Sequence, residues 1–226
     1  MKKFLFLSVG VLLLGAGCSQ ATQSVSLPVD DTSTKTTSTT PPVNTTASST
    51  QLIPTSTSMI DKTHLSFPGV LPTAQTNKKI LIKTTIGNIE IQLMPDQGPK
   101  AASNFVYLVQ HHFYDGIIFH RVIPGFMIQG GDPTGTGLGG PGYQFANDPV
   151  KVPYVDGVVA MANAGRDTNG SQFFIMVQDY PLGPDYSIFG KVVSRLDIAH
   201  KISQVDRDGN DRPFAEVKMI SVTVEK

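Results

Sequence analysis

Several residue patterns in the 226-residue chain have types and spacings that suggest chemistry, and most fail on context. Gly135-Thr136-Gly137-Leu138-Gly139-Gly140 has the spacing of a dinucleotide-binding turn. Such a turn needs a strand before it and a helix after it. Asp132-Pro133 precedes and Pro141-Gly142 follows, so the run reads as a surface loop. Asp206, Asp208 and Asn210 copy the first three ligand positions of a calcium loop. The sixth position needs glycine and the twelfth a bidentate glutamate. Here those positions are Asp211 and Val217, which leaves a polar turn. His111 and His112 are adjacent on a predicted helix, point in different directions and do not chelate. No Gly-x-Ser-x-Gly elbow is present, so acyl transfer has no support. Cys18 is the only cysteine, which excludes an intrachain disulfide and a cysteine-held zinc.

The whole chain is neutral, with 18 Lys+Arg and 18 Asp+Glu. It therefore carries no electrostatic case for nucleic-acid binding. Forty per cent of residues are apolar and 16% are charged, a globular average that excludes wholesale disorder and collagen-like repeats. No apolar run reaches the length of a membrane-spanning helix. Lys2 and Lys3 precede an apolar run from Phe4 to Leu14, which reads as a signal peptide. Leu14-Gly15-Ala16-Gly17-Cys18 resembles a bacterial lipobox, so residues 1–17 are expected to be removed and the Cys18 thiol lipidated. That places the protein outside the cytoplasm, anchored to a lipid bilayer through Cys18. Residues 19–77 hold 25 Ser or Thr and six Pro with few apolar residues. Residues 18–77 are therefore expected to form a lipidated, disordered tether, with a span of roughly 40–45 Å.

Residues 78–226 form the expected folded domain, with 14 basic and 15 acidic residues. A chain of about 150 residues buries about 68–70% of its unfolded surface in one core. Ile80 to Thr84 and Asn88 to Leu93 read as a hairpin around a Gly87-Asn88 turn. Gly98-Pro99 opens a helix whose Ala102, Phe105, Val106 and Val109 share one face. Phe119–Val122, Phe126–Gln129, Val158–Ala162, Gln172–Val177 and Ile188–Val192 read as strands, Leu196–Ile202 as a second helix. Ile220, Val222 and Val224 alternate in a last strand. Many short strands, glycine-rich turns and two helices predict a mainly β fold, a closed antiparallel barrel with helical plugs.

The central run Phe119-His120-Arg121-Val122-Ile123-Pro124-Gly125-Phe126-Met127-Ile128-Gln129-Gly130-Gly131-Asp132 resembles the signature of the cyclophilins, which are peptidyl-prolyl cis-trans isomerases. Met161-Ala162-Asn163-Ala164-Gly165, Asn169-Gly170-Ser171-Gln172-Phe173-Phe174-Ile175 and Ile188-Phe189-Gly190-Lys191-Val192 continue the resemblance in family order. It covers residues 78–226 and implies an eight-stranded antiparallel barrel capped by two helices. It makes Arg121 the catalytic arginine. It gives the proline pocket to Phe126, Met127, Phe174 and Leu182, and the backbone groove to Gln129, Ala162 and Asn163, with Gln172 as a further substrate contact. Aligning on Phe189 puts Pro181 and Leu182 where the family often carries a Trp-Leu pair, and Tyr186 where it carries a histidine. Tyr186 is kept as an aromatic wall of the pocket.

The chemistry of those residue types agrees. An X–Pro bond turns over a barrier of about 18–20 kcal/mol because rotation breaks amide resonance. No bond is made or broken, so no nucleophile, metal or cofactor is expected. In the twisted state the prolyl nitrogen gains a lone pair, and a guanidinium suits that acceptor. The expected activity is peptidyl-prolyl isomerisation on proline-containing secreted polypeptides, assisting their folding, by a domain that is monomeric. The alternative is a non-catalytic chaperone or adaptor on the same fold that only holds proline segments.

Overall fold

The computed structural model describes Lys62 and residues 65–225. The expected signal peptide, Cys18 and most of the expected tether lie outside the described residues. The elements in chain order are α1 (Thr73–Thr76), β1 (Lys79–Thr84), β2 (Asn88–Leu93), α2 (Pro99–Gln110), β3 (Phe119–Ile123), β4 (Met127–Gly130), β5 (Val158–Met161), β6 (Phe173–Met176), β7 (Ile188–Ser194), α3 (Leu196–Ser203) and β8 (Met219–Val224). Each predicted strand and both predicted helices are present. The first hairpin turns at Thr85-Ile86, before the expected Gly87-Asn88, because Thr84 N–H bonds the Gly87 carbonyl at 2.9 Å and closes the turn early. His111 ends α2 and His112 has φ 53°, so the pair sits in the turn after the helix rather than on it.

The strands form one eight-stranded sheet in the order β3-β4-β6-β5-β7-β2-β1-β8. Every neighbouring pair is antiparallel. The ladder does not run round the closed ring expected from sequence. Its two edge strands meet at a single bridge, Ile118 to Lys218, flanked by Phe119 N–H to the Val217 carbonyl at 2.9 Å. Beyond that point the irregular chain before β8 runs along β3 in place of a strand, with Val122 N–H bonded to the Asp211 carbonyl at 2.8 Å. The result is a curled half-barrel.

Side chains alternate across a strand, so a strand buried throughout must face two apolar clusters. In β6, Phe173 and Ile175 join the interior core while Phe174 and Met176 join a second cluster outside. In β5, Val159 and Met161 point in, Val158 and Ala160 out. The interior is closed by α2, through Ala102, Phe105, Val106 and Val109, and by α3, through Ile198, Ala199 and Ile202. Phe105 is the hub of the interior aromatics, with ring centroids 4.9 Å from Tyr114, 5.2 Å from Phe173 and 4.9 Å from Phe189.

The packed chain begins before residue 78. Leu65, Phe67 and Leu71 pack on the interior core, and Leu71 N–H bonds the Ser103 hydroxyl of α2 at 2.9 Å. The expected tether therefore ends before Leu65. Its Ser/Thr-rich average holds for the run up to Ser58, and the apolar residues that dock lie after it.

In β3, Phe119 pairs with Gly130 and Arg121 with Gln129, so His120 is an extra residue opposite the β4 ladder. This bulge lets Phe119 and Val122 both enter the interior while Arg121 emerges on the outer side. His120 is 7% exposed, and neither ring nitrogen has a hydrogen-bond partner. Burial pushes its pKa below the ordinary histidine value; Asp132 pulls it up, and Arg212 and Arg121 push it down. The unfolded chain then binds the proton more readily than the folded one. Stability is complete above the ordinary histidine pKa of about 6.5 and falls as pH drops from there toward the lower folded value. Urea midpoints at pH 7.5 and pH 5.5 should drop in the wild type and drop less in His120→Gln. Equal drops in both proteins would show that His120 is not the titrating group.

Candidate active site

The outer cluster is not sealed. Ile123, Phe126, Val150, Val152, Val155, Leu182 and Tyr186 cover it only in part. A hollow of about 230 Å³ remains, lined by Arg121, Phe126, Met127, Gln129, Ala162, Asn163, Phe174, Leu182 and Tyr186. These nine are the residues expected from sequence, apart from Gln172. The volume lies below the roughly 300–1,000 Å³ of small-molecule sites, so it suits one side chain rather than a whole ligand.

Strand register explains the assembly. Arg121 of β3 is opposite Gln129 of β4, which is opposite Phe174 of β6, which is opposite Ala160 of β5. One row across four strands therefore runs from a guanidinium through an amide to an aromatic floor. Phe126 enters from the turn between β3 and β4. Its N–H bonds the Ile123 carbonyl at 3.1 Å, Pro124 sits at the second position, and Gly125 has φ 70°. That is a type II turn, which needs a positive φ at its third residue. Phe126 packs against Tyr180 with centroids 4.5 Å apart and planes tilted by 40°.

The far wall is a loop held at several points. Tyr154 Oη donates to the Tyr186 carbonyl at 2.8 Å and accepts from the Tyr186 N–H at 3.1 Å. The Tyr186 ring meets Phe174 edge-on at 5.6 Å. Asn163 Nδ2 and Asn147 Nδ2 both donate to the Asp185 carbonyl, at 2.9 Å and 2.7 Å. Leu182 rides on the same loop.

Arg121 is the charged group at the rim, with its side chain 44% exposed. Its Nε lies 3.5 Å from Asp211 Oδ2, and Arg207 Nε lies 3.7 Å from Asp211 Oδ1. Asp211 has φ 64°, a left-handed conformation that aspartate tolerates better than most residues. Asp208 Oδ1 holds the turn by accepting the Asn210 and Arg212 N–H groups at 2.8 and 2.9 Å. Arg212 Nη1 donates to the Gly135 carbonyl and ties the turn to the glycine-rich loop. The calcium-like spacing thus serves a polar turn, as expected, and the turn carries an unforeseen partner for Arg121.

A longer groove of about 650 Å³ adjoins the hollow and shares Gln129, Ala162 and Asn163 with it. Its walls are the loop Gly137–Gln144 on one side, and Thr168 with Gly170 to Gln172 on the other. Gln172 lies here, not in the smaller hollow. Gln129 Nε2 donates to Gln172 Oε1 at 3.0 Å, and Gln172 Nε2 donates to the Gly137 and Gly139 carbonyls, each at 2.9 Å. The loop is also folded around Asp132, whose carboxylate accepts the Thr134 N–H at 2.7 Å and the Gly137 N–H at 2.6 Å. Burial alone would raise that carboxyl's pKa; bonds from Thr134, Gly139 and Gly137 outweigh it and hold the group below its ordinary range. The surface loop expected from sequence is therefore also a groove wall.

A family model described as cyclophilin type peptidyl-prolyl cis-trans isomerase/CLD matches residues 79–224. Over 166 residues the chain is 45% identical to peptidyl-prolyl cis-trans isomerase A of Mycobacterium tuberculosis, a match spanning 63% of this chain and 90% of that protein. It is 43% identical over 145 residues to a peptidyl-prolyl cis-trans isomerase of Schizosaccharomyces pombe, spanning 62% of this chain and 94% of that one. A crystal structure of a cyclophilin type peptidyl-prolyl cis-trans isomerase of Cryptosporidium parvum superposes with a TM-score of 0.63 at 35% identity, covering 66% of this chain and 98% of that chain. The Cryptosporidium parvum protein has also been crystallised in the presence of the dipeptide Ala-Pro.

Proposed function

The chain belongs to the cyclophilin-type peptidyl-prolyl cis-trans isomerase family, and from that premise we propose that its outer hollow holds a prolyl ring while Arg121 favours the twisted amide. The observation that carries this reading is the single row Arg121, Gln129, Phe174 across three adjacent strands. Phe126, Met127, Phe174 and Leu182 hold the ring by apolar contact. Gln129, Ala162, Asn163 and Gln172 face the peptide backbone, and the long groove takes residues that flank the proline. Tyr186 closes the pocket through its T-shaped contact with Phe174.

The reaction needs only differential binding. As the amide twists, conjugation is lost and the prolyl nitrogen becomes a hydrogen-bond acceptor. Arg121 donates to that nitrogen, an interaction that neither planar ground state offers. Asp211 is the partner that orients the guanidinium. A module that only stored proline segments would have no use for a donor at this rim, so the binding-only alternative is not favoured.

In the same reading the enzyme acts outside the cytoplasm. Cys18, preceded by Lys2, Lys3, an apolar run and small residues, carries the lipid that holds a monomeric enzyme at a bilayer. Its substrates are proline-containing polypeptides whose folding it assists.

Four measurements test these assignments. Arg121→Ala should lose about 10²–10³ in kcat/KM on a proline tetrapeptide, by analogy with an oxyanion-hole donor worth about 2.7–4 kcal/mol. A folded variant that keeps more than about half the wild-type activity would overturn the role. No histidine lines the pocket, so the wild-type rate should stay within about twofold between pH 6 and pH 8, the window in which an unperturbed histidine changes charge. A tenfold step there in the folded protein would reveal a proton-coupled group.

Asp211→Asn should lower kcat by no more than about fivefold with KM unchanged, because an exposed ion pair contributes about 0–1 kcal/mol. In the Arg121→Ala background the same substitution should change nothing. Additive losses would mean that Asp211 acts on the fold and not through Arg121.

Cys18→Ala should leave the protein unprocessed or release it from membranes, whereas wild type partitions into detergent. Equal membrane partitioning after signal cleavage would remove the case for a lipid anchor.

A further inference from the structure

Residues 65–71 lie before the span matched by the family model, yet they are built into the domain. We propose that this strap, through Phe67, is a positioning element for the long groove: it fixes the wall that the residues flanking the proline meet. The inference rests on the reading that this groove carries those flanking residues.

The contacts run from the strap to the wall without a gap. Leu65 N–H bonds the Pro141 carbonyl at 3.2 Å. The Phe67 ring stacks on Phe145 with centroids 4.8 Å apart and planes 8° from parallel, and lies 6.1 Å from the Tyr143 ring. Pro141 and Tyr143 line the groove. Phe145 binds the other wall, exchanging backbone bonds with Asn169 at 2.9 and 3.3 Å. At its far end the strap is tied down by Leu71 N–H to Ser103 Oγ at 2.9 Å, and that hydroxyl donates to the Pro99 carbonyl at 2.6 Å.

The wall has little else behind it. Residues 137–144 contain no strand or helix, and Gly137 and Gly142 adopt φ 88° and 89°. A glycine-rich segment has much conformational freedom to lose on ordering, so the few contacts at its back decide where it sits. Besides the strap, those contacts are Tyr143 Oη to Asn104 Oδ1 at 2.6 Å, the amide bonds from Gln172, and the Asp132 carboxylate, which holds the Gly137 end of the loop. Asn104 Nδ2 also donates to the Gly170 carbonyl on the facing wall at 2.8 Å. Phe67 thus braces the Tyr143 ring and Asn104 its hydroxyl. Removing the Phe67 ring leaves Tyr143 with one brace and Phe145 with an uncovered face, while the proline hollow, which shares no residue with the strap, keeps its lining.

The test uses the full-length chain in detergent and two substrates with the same central segment: a proline tetrapeptide, and a decapeptide that adds residues on both sides. Wild type should show a lower KM for the decapeptide. Phe67→Ala should raise the decapeptide KM about fivefold, with its kcat and the tetrapeptide kcat/KM within twofold of wild type. Phe67→Leu, which keeps apolar bulk without the stacking ring, should fall between the two and carries the test if Phe67→Ala does not fold. A role in stability alone would lower the melting temperature and leave the KM ratio of the two peptides unchanged, which would overturn the proposal. If wild type itself shows no gain from the longer peptide, the groove reading fails first, and this inference falls with it.

Discussion

The sheet has two apolar faces, and only one can be fully closed. Its curl wraps the inner face around Phe105, Phe173 and Phe189, and the two long helices seal it. The outer face of β4, β6 and β5 is left to loops, which cannot pack as evenly as a helix. Met127, Ala160, Phe174 and Met176 must still be kept from water, so loops 123–126, 150–155 and 182–186 are drawn over them. The hollow is what this incomplete cover leaves behind. Its apolar floor and its accessibility have one origin.

The bulge at His120 makes that hollow a polar as well as an apolar site. In an unbroken strand Phe119 and Arg121 would share a face. One of them would then be misplaced: a guanidinium in the core, or a phenyl ring in water. The extra residue separates them and sends Arg121 to the rim. The cost falls on His120, which is buried with two unpartnered nitrogens. A bulge beside a site, re-aiming one side chain at the expense of another, is a common device.

Most of the fold was legible because its strands are short apolar runs, alternating where one face meets water and continuous in β5 and β6, and its helices obey a period of 3.6. The pocket residues were legible because they lie in short runs whose local sequence is distinctive, as in Ile123-Pro124-Gly125-Phe126 on a tight turn and Met161-Ala162-Asn163 at a strand end. Three features were not. Asp211 meets Arg121 from a turn 90 positions away, and nothing local in Asp208-Gly209-Asn210-Asp211 marks a long-range partner. The strap was hidden by averaging: Leu65, Phe67, Val70 and Leu71 sit within seven residues, but a window of 59 diluted them with Ser and Thr. The groove wall reads as a surface loop, which is correct locally. That its back is braced by Phe67 and Asn104 is tertiary information. The open seam between β3 and β8 is of the same kind, because strand count and pattern do not say whether the last ladder closes.

A pocket that must admit segments of other polypeptides cannot be dry, and that sets the scale of its electrostatics. Arg121 is nearly half exposed, and its partner Asp211 is a third exposed. At an effective dielectric of about 20, two unit charges 4 Å apart interact by about 4 kcal/mol. In the proposed mechanism the prolyl nitrogen offers only a partial charge, so its interaction with Arg121 is weaker than that bound. Each tenfold in rate needs about 1.36 kcal/mol. In that mechanism a partly screened guanidinium supplies at most about three powers of ten, and any further acceleration comes from holding the ring and the flanking backbone while the amide turns. This is why Tyr154, Asn147, Asn163 and Gln172 spend their hydrogen bonds on loop carbonyls. They keep the walls still. In a reaction with no proton to move and no bond to break, a stationary wall is itself a catalytic part.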